Sequence, residues 1–409
     1  MHWAALKGAP DDPYVLARLG LFPLAAHAKA ADEKGRLGQI LARAATPGTD
    51  SEDIAALSAL PPSMRRWAAR LVAIHDREAA ISLLDGGDRE AIAACLLALN
   101  RAEDARIQLG RQPATNAEAA ALLAHIAISD GDHAAARTAL NDLMKDGGLG
   151  PILEEGAAAF TIDDLGGSAE IVENGPKVSV VIPYRDAAAT LETAIRSIAN
   201  QSWRNIEIIA VDDASTDDGP QIAERMAQSD ARILTIQNKR TAGVYGARNS
   251  AIDVASGDYL TFLDADDWSP VERIARQVDR LDRHAVGIGN HIRMDEAGRP
   301  VAPRVFPIVR PVPITLLTRR NTLMNAGPFE EVVTGADSEM FARLEMVHGK
   351  QAIDRDSAVL LIARWRSGSL SDAQEGGLFG QERYDYRADW MFRHAGRAAP
   401  GLPAGPAAA

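Results

Sequence analysis

At Val178 the chain changes its alphabet. From there β-branched runs at residues 178–182, 206–211, 233–236 and 259–263 alternate with helical patterns at 188–200, 221–228 and 245–255. Strands separated by helices of that length read as βαβ units, because parallel neighbours need a long crossover and a helix supplies it. The result is an α/β layer whose parallel sheet is covered on both faces. Ligands of such sheets sit beyond the carboxyl ends of the strands. Three segments leave those ends directly, at 183–186, 212–217 and 264–267, and each carries aspartate.

Up to about Gly166 the residues are mostly Ala, Leu, Arg, Asp and Glu, which lose least on entering a helix. Helices are expected at 51–57, 63–75, 89–99, 102–109, 116–129 and 133–145, separated by Pro61-Pro62, Gly86-Gly87 and Gly147-Gly148. Ala105-Arg106 with Leu109 recurs as Ala136-Arg137 with Leu140, a spacing of 31 residues. That is close to the tetratricopeptide repeat length, the alternative being a non-repetitive bundle. The expected organisation is a helical, tetratricopeptide-like domain at 1–166, a linker at 167–176, an α/β domain at 177–396 and a disordered tail at 397–409. A chain of 409 residues, 46% hydrophobic, is long enough for two such cores.

A formal charge of −12 with acids and bases interspersed leaves no concentrated basic surface, which excludes nucleic acid as the expected partner. The single cysteine, Cys95, rules out a disulfide framework and a thiolate metal site. Neither a signal-peptide pattern nor an apolar run of roughly 18 residues is present. These features predict a cytoplasmic protein able to associate peripherally with the inner face of the cell membrane. The helical half would serve a protein partner or self-association.

The chemistry concentrates at the strand ends. In Phe262-Leu-Asp264-Ala265-Asp266-Asp267-Trp268 an apolar strand delivers carboxylates two apart onto a turn. Crowded carboxylates repel one another, and a hard divalent ion with oxygen ligands relieves that repulsion. The plainer reading is a turn or a helix cap at Asp267. Asp212-Asp213-Ala-Ser215-Thr-Asp217 offers acceptors for a ring imide or a ribose hydroxyl, while Ser215 or Asp217 also suits a cap for a helix near Pro220.

Four segments in order carry a resemblance: Val178-Ser-Val-Val-Ile-Pro183-Tyr184-Arg185-Asp186, Val211-Asp-Asp-Ala-Ser-Thr-Asp217, Gly243-Val-Tyr-Gly-Ala-Arg248-Asn249, and Gly257-Asp-Tyr-Leu-Thr-Phe-Leu-Asp264-Ala-Asp266-Asp267. Together they resemble family 2 glycosyltransferases of the GT-A fold, and the stretch from Gly243 is similar to bacterial enzymes of capsular and other surface polysaccharides. The resemblance implies inverting transfer from a nucleotide-diphosphate sugar, a UDP-sugar first among them, to a hydroxyl of a glycan or lipid-linked acceptor, with Mn2+ or Mg2+ as cofactor. On that basis Asp266 is the main metal ligand, and Asp264 binds ribose or assists the metal. Pro183, Tyr184, Asp186, Asp212, Asp213, Arg248 and Ala265 line the donor pocket, with Asp213 reading the base. Arg185 and Asp186 depart from the aromatic residue and asparagine usual at those places.

The family's acid pair before an acceptor-side helix falls on Ala336-Asp337, which makes Asp337 the general base and leaves alanine where glutamate is usual. Read alone, Asp337 is equally a cap or first-turn acid of a helix. Arg366, in Arg364-Trp-Arg366-Ser-Gly-Ser369-Leu-Ser371, stands where the family often places a histidine toward the diphosphate, and a guanidinium suits that task. His291 and His348 read as ordinary fold residues, and residues 284–313 as part of the acceptor side. The alternative to an active transferase is a catalytically degenerate nucleotide-binding protein whose helical half is a docking scaffold.

Overall fold

A computed structural model describes residues 6, 8–110, 114–366 and 380–396. They form two compact units, one of residues up to 113 with 302–307 and the segment from 370 onward, the other of 114–301 with 308–369. The expected tail at 397–409 lies outside the described residues.

The first unit is helical: Pro13–Arg18, Phe22–His27, Glu33–Ala44, Ser51–Ser58, Pro62–Val72, Arg77–Leu83, Arg89–Ala98, Ala102–Leu109 and Gln381–His394. Aspartates set several starts, with Asp32, Asp50 and Asp76 accepting from the backbone N–H groups of Gly35, Asp53 and Ala79. Each such cap is worth about 1 kcal/mol. Leu16, Leu21, Leu41, Leu57 and Leu83 are buried at the centre. The last helix closes on the first two: Leu24 N–H donates to the Tyr384 hydroxyl at 3.2 Å, and Arg387 donates to the Leu19 carbonyl at 3.0 Å.

The second unit contains the sheet. Its strands are β1 Val178–Tyr184, β2 Ile206–Asp212, β3 Ile233–Gln237, β4 Tyr259–Phe262, β5 Val286–Met294, β6 Pro300–Val301, β7 Arg310–Pro311, β8 Leu317–Arg319 and β9 Ile353–Arg364. The order β3-β2-β1-β4 is parallel throughout, with Val180 opposite both Ile208 and Thr261. Antiparallel β8 follows, then β5, beside which β9 runs parallel. The sheet is therefore mixed, and the four expected strands form its parallel half. In the Leu191–Ala199 helix Leu191, Ala194, Ile195 and Ile198 are buried, the spacing of one apolar stripe on a sheet.

Three boundaries differ from the sequence-based division. Helices Ala117–Asp130 and His133–Asp146 belong to the sheet's unit, and Gln381–His394 to the helical unit. The two copies of the 31-residue repeat consequently fall in separate units. Residues 167–176 do not run free: Val172 pairs by backbone hydrogen bonds with Ser202 and Arg204, and Trp203 Nε1 donates to the Pro176 carbonyl. Residues 284–313 contain β5, a central strand whose tertiary pairing the sequence pattern does not reveal.

Candidate functional site

The expected site residues gather at the carboxyl ends of β1, β2 and β4. Pro183 and Tyr184 end β1 and are buried. Asp186, at φ 49°, folds back so that Oδ1 accepts from the Thr216 N–H at 2.7 Å and its hydroxyl at 3.0 Å. Those bonds, the backbone one foremost, hold its carboxyl below the usual carboxylate range. Asp217 accepts from Ala188 and Gly219, binding the β1 and β2 loops together, and the cap position of the Gly219–Ser229 helix is Asp218.

The pair at the end of β2 is buried, and each of its four oxygens holds one donor. Asp212 accepts from Ser215 N–H at 2.9 Å and from Gln237 Nε2 at 2.9 Å. Asp213 accepts from Asn238 Nδ2 at 2.6 Å and from Gly243 N–H at 2.7 Å. Gly243 takes φ 127°, a conformation open to glycine, and starts the Val244–Val254 helix. A carboxylate thus fixes the N-terminus of the helix that carries Arg248.

Arg248 lies at the centre. Its side chain is 3% exposed, Nη2 donates to Asp264 Oδ1 at 2.6 Å, and the guanidinium sits over Tyr245 at 5.2 Å and near Phe262 and Phe329. Burial works against its charge, but the pull of Asp264, Tyr245 and Asp337 outweighs it and holds the group protonated. Asp264 and Asp266 are 39% and 28% exposed, and Arg366 Nη2 lies 3.6 Å from Asp266 Oδ2. Burial, then the Asp264 charge, pushes the Asp266 carboxyl up. Asp267 is buried more completely and pushed further by burial and by Asp266 and Asp264, and it accepts from the Arg364 backbone N–H at 3.1 Å. It shapes the turn and caps no helix, since the next one begins at Arg273. Ala265 is buried between these two half-buried acids. Residues 367–371 of the Arg366 loop lie outside the described residues.

Asp337 is the second residue of the Ala336–His348 helix, whose cap position is Gly335. It is thus a first-turn acid, yet its Oδ1 accepts from the Tyr245 hydroxyl at 3.0 Å, across 92 residues. Glu339 is buried in a two-point pair with Arg343. Sequence reasoning overlooked Tyr245, although it lies inside the Gly243 to Asn249 segment. It also overlooked Arg273, fully buried, which donates to Thr261, Phe262, Ser269 and Gln277 beneath the acidic turn. Burial lowers its pKa to about 10. His291 is buried on the Arg310 carbonyl, with burial pushing its pKa down to about 3, as suits a fold residue.

Among the described residues no group of three or more His, Cys, Asp or Glu side chains is arranged to enclose a metal. A magnesium-type ion needs less, since one or two carboxylates hold it while substrate phosphates and water complete its shell. Asp264 and Asp266 fit that donor set: both are reachable, and the repulsion that raises Asp266 is relieved by a cation.

Residues 179–331 match the glycosyl transferase family 2 model. An uncharacterized glycosyltransferase of Haemophilus influenzae is 35% identical over 130 residues, 31% of this chain and 52% of that protein. The putative glycosyltransferase EpsE of Bacillus subtilis is 40% identical over 144 residues, 34% and 51% respectively. The Escherichia coli UDP-Glc:alpha-D-GlcNAc-diphosphoundecaprenol beta-1,3-glucosyltransferase WfaP is 37% identical over 109 residues, 27% and 43%. Among solved structures, S. aureus TarS 1-349 with UDP aligns with a TM-score of 0.42 at 19% identity, covering 56% of this chain and 67% of that one. The matches thus span about half of the relatives' length or less. Within the mixed α/β unit of this chain, residues 179–331 are thus similar to glycosyl transferase family 2.

Proposed function

We propose that the chain is an inverting glycosyltransferase that moves a sugar from a UDP-sugar to a hydroxyl of a glycan or lipid-linked acceptor in bacterial surface polysaccharide synthesis. The observation that carries this reading is the run Asp264–Arg248–Tyr245–Asp337, which joins the acidic turn to the candidate base through 2.6 Å and 3.0 Å hydrogen bonds and an arginine over a ring. Asp337 takes the proton of the acceptor hydroxyl as that oxygen bonds to the anomeric carbon. The bond to the diphosphate breaks on the opposite face, which inverts the centre. Arg248 and Arg366 bring positive charge toward the leaving diphosphate. Asp264 and Asp266 would hold Mn2+ or Mg2+, whose chemistry here is Lewis-acid stabilisation of the leaving charge.

The exposed strand-end surface around Asp186 offers the nucleoside side. Each oxygen of Asp213 accepts one bond and keeps a second lone pair, so its proposed contact with the base would add to the Asn238 and Gly243 bonds. No described helix is long and apolar enough to cross a membrane, and a lipid-linked acceptor would be met by peripheral association. The helical unit is proposed to dock a partner or a second copy.

Calorimetric titration of the full chain with UDP, GDP, CDP and dTDP, with and without Mn2+, tests the donor assignment. UDP binding that needs Mn2+ and is lost in Asp266→Ala supports it, and absence of binding to all four refutes it. Asp337→Asn is expected to keep UDP affinity within about twofold and lose transfer by about 10²–10⁴-fold, the usual worth of a general base.

A further inference from the structure

Tyr245 joins two parts of the site that the sequence keeps far apart. Its side chain is buried, and its hydroxyl makes two bonds of opposite sense. Gly335 N–H donates to the phenol oxygen at 3.0 Å, and Asp337 Oδ1 lies 3.0 Å away as an acceptor. An amide can only donate, and a phenol has one proton. The Gly335 bond therefore leaves that proton one direction, toward Asp337. Burial, with the Asp337 charge, raises the phenol's pKa and keeps the proton in place.

The ring has little freedom to turn away. It stacks on Phe329, centroids 5.8 Å apart and 28° between planes, with the Arg248 guanidinium 5.2 Å from its centre. Phe329 is itself clamped by Asn249, which bonds both its N–H and its carbonyl. At the start of the same helix Gly243 is tied to Asp213. An aspartate in the first turn of a helix is favoured there by the helix dipole without needing any side-chain partner. Asp337 is turned toward a neighbouring helix, where one oxygen is fixed and the other is left to receive a proton.

We propose that Tyr245 is a positioning residue for the general base, aiming the Asp337 carboxylate by a hydrogen bond given from the helix that also carries Arg248. This inference rests on the transferase reading above. Removing the hydroxyl leaves the aromatic stacking but lets the carboxylate rotate, and misplacement of a reacting group by about 1 Å costs roughly 10²-fold in rate. The loss falls on the chemical step, not on donor binding.

The test uses the full-length chain with Mn2+, following UDP release from UDP-glucose and UDP-N-acetylglucosamine with octyl β-glucoside or water as acceptor. Native protein, Tyr245→Phe, Asp337→Asn and the double variant are compared, with UDP affinity measured for each. The expected result is a kcat reduced about 10–100-fold in Tyr245→Phe. Donor KM and UDP affinity stay within about twofold of native, and the double variant is no slower than Asp337→Asn, as for residues acting as a unit. Native kcat in Tyr245→Phe, with Asp337→Asn inactive, overturns this inference and leaves the transferase reading standing. Loss of UDP affinity along with kcat in Tyr245→Phe assigns the residue to the fold and also overturns it. No UDP release by the native chain from either donor overturns the transferase reading and this inference with it.

Discussion

Replacing Asn249 by alanine should loosen the aromatic floor of the site at a cost that the local bonds set. Asn249 is 1% exposed; Oδ1 accepts from Phe329 N–H at 2.9 Å, and Nδ2 donates to the Phe329 carbonyl at 2.9 Å and to Glu331 Oε1 at 3.1 Å. One side chain therefore mimics a strand partner for a buried loop residue. Alanine strands a buried N–H and a buried carbonyl, each worth about 1–3 kcal/mol when left without a partner. Water entering the vacated volume recovers part of this, so the expected loss is about 2–4 kcal/mol. Asn249→Asp should be worse, because it keeps only the acceptor and sets a second carboxylate beside Glu331. Urea unfolding gives the total, and hydrogen exchange at the Phe329 amide reads the local event directly. Because the Phe329 ring also meets Phe262 at 5.3 Å, turnover should fall with it. Asn249→Ala within about 0.5 kcal/mol of native, with Phe329 exchanging at the native rate, would refute the clamp.

Glu207 should make the sheet's unit acid-labile. It accepts from Lys177, Ser179 and Ser256, and although burial opposes ionisation, those bonds lower its pKa to about 2 from 4.5. A folded value below the unfolded one gives stability that is complete above about pH 4.5 and is lost as pH falls toward 2. The full shift would be about 3 kcal/mol, which screening at the exposed Lys177 end reduces to about 1–2. Urea midpoints between pH 6 and 2.5 should therefore fall more steeply for native protein than for Glu207→Gln, and equal slopes would contradict the assignment. Gly246→Ala should disturb the donor side, because a Cβ there would lie 1.9 Å from the Thr241 carbonyl oxygen, a backbone atom unable to yield. Overpacking of this kind costs about 1–3 kcal/mol. A lowered melting midpoint with weakened UDP binding checks it, and a native-like variant would show that the 238–243 loop adapts.

The parallel half of the sheet was legible because its strands are short apolar runs bounded by turns, and a topological rule says where their ligands lie. That rule placed Asp186, Asp213, Asp264 and Asp266 at one mouth without any knowledge of packing. The other half was not legible. In β5 the run Val286-Gly-Ile-Gly-Asn290-His291 breaks every strand-like pattern, yet it pairs with β8 and β9. β9 opens on Asp354 and Asp356, charges that make sense only beside Arg280 and Arg276 on another element. The division into units was hidden for the same reason, since the helix that completes the N-terminal bundle lies 360 residues away from Leu24.

What sequence spacing misses at the site is which motif residues serve chemistry and which serve each other. Asp212 and Asp213 look like a ligand pair, but their four oxygens hold Ser215, Gln237, Asn238 and Gly243. The motif's invitation to ligands is thus partly spent on setting the helix that presents Arg248. Conversely, Tyr245 looks like a helix-packing aromatic and turns out to touch the candidate base. Both inversions have one cause: a hydrogen bond satisfies whichever donor the fold brings near, and the fold brings together groups 25 to 92 residues apart. An aspartate at a strand end serves chemistry to the extent that its carboxylate can be reached: Asp212 and Asp213 are buried, whereas Asp264 and Asp266 share one turn with side chains 39% and 28% exposed, which makes them the pair on which metal binding should depend.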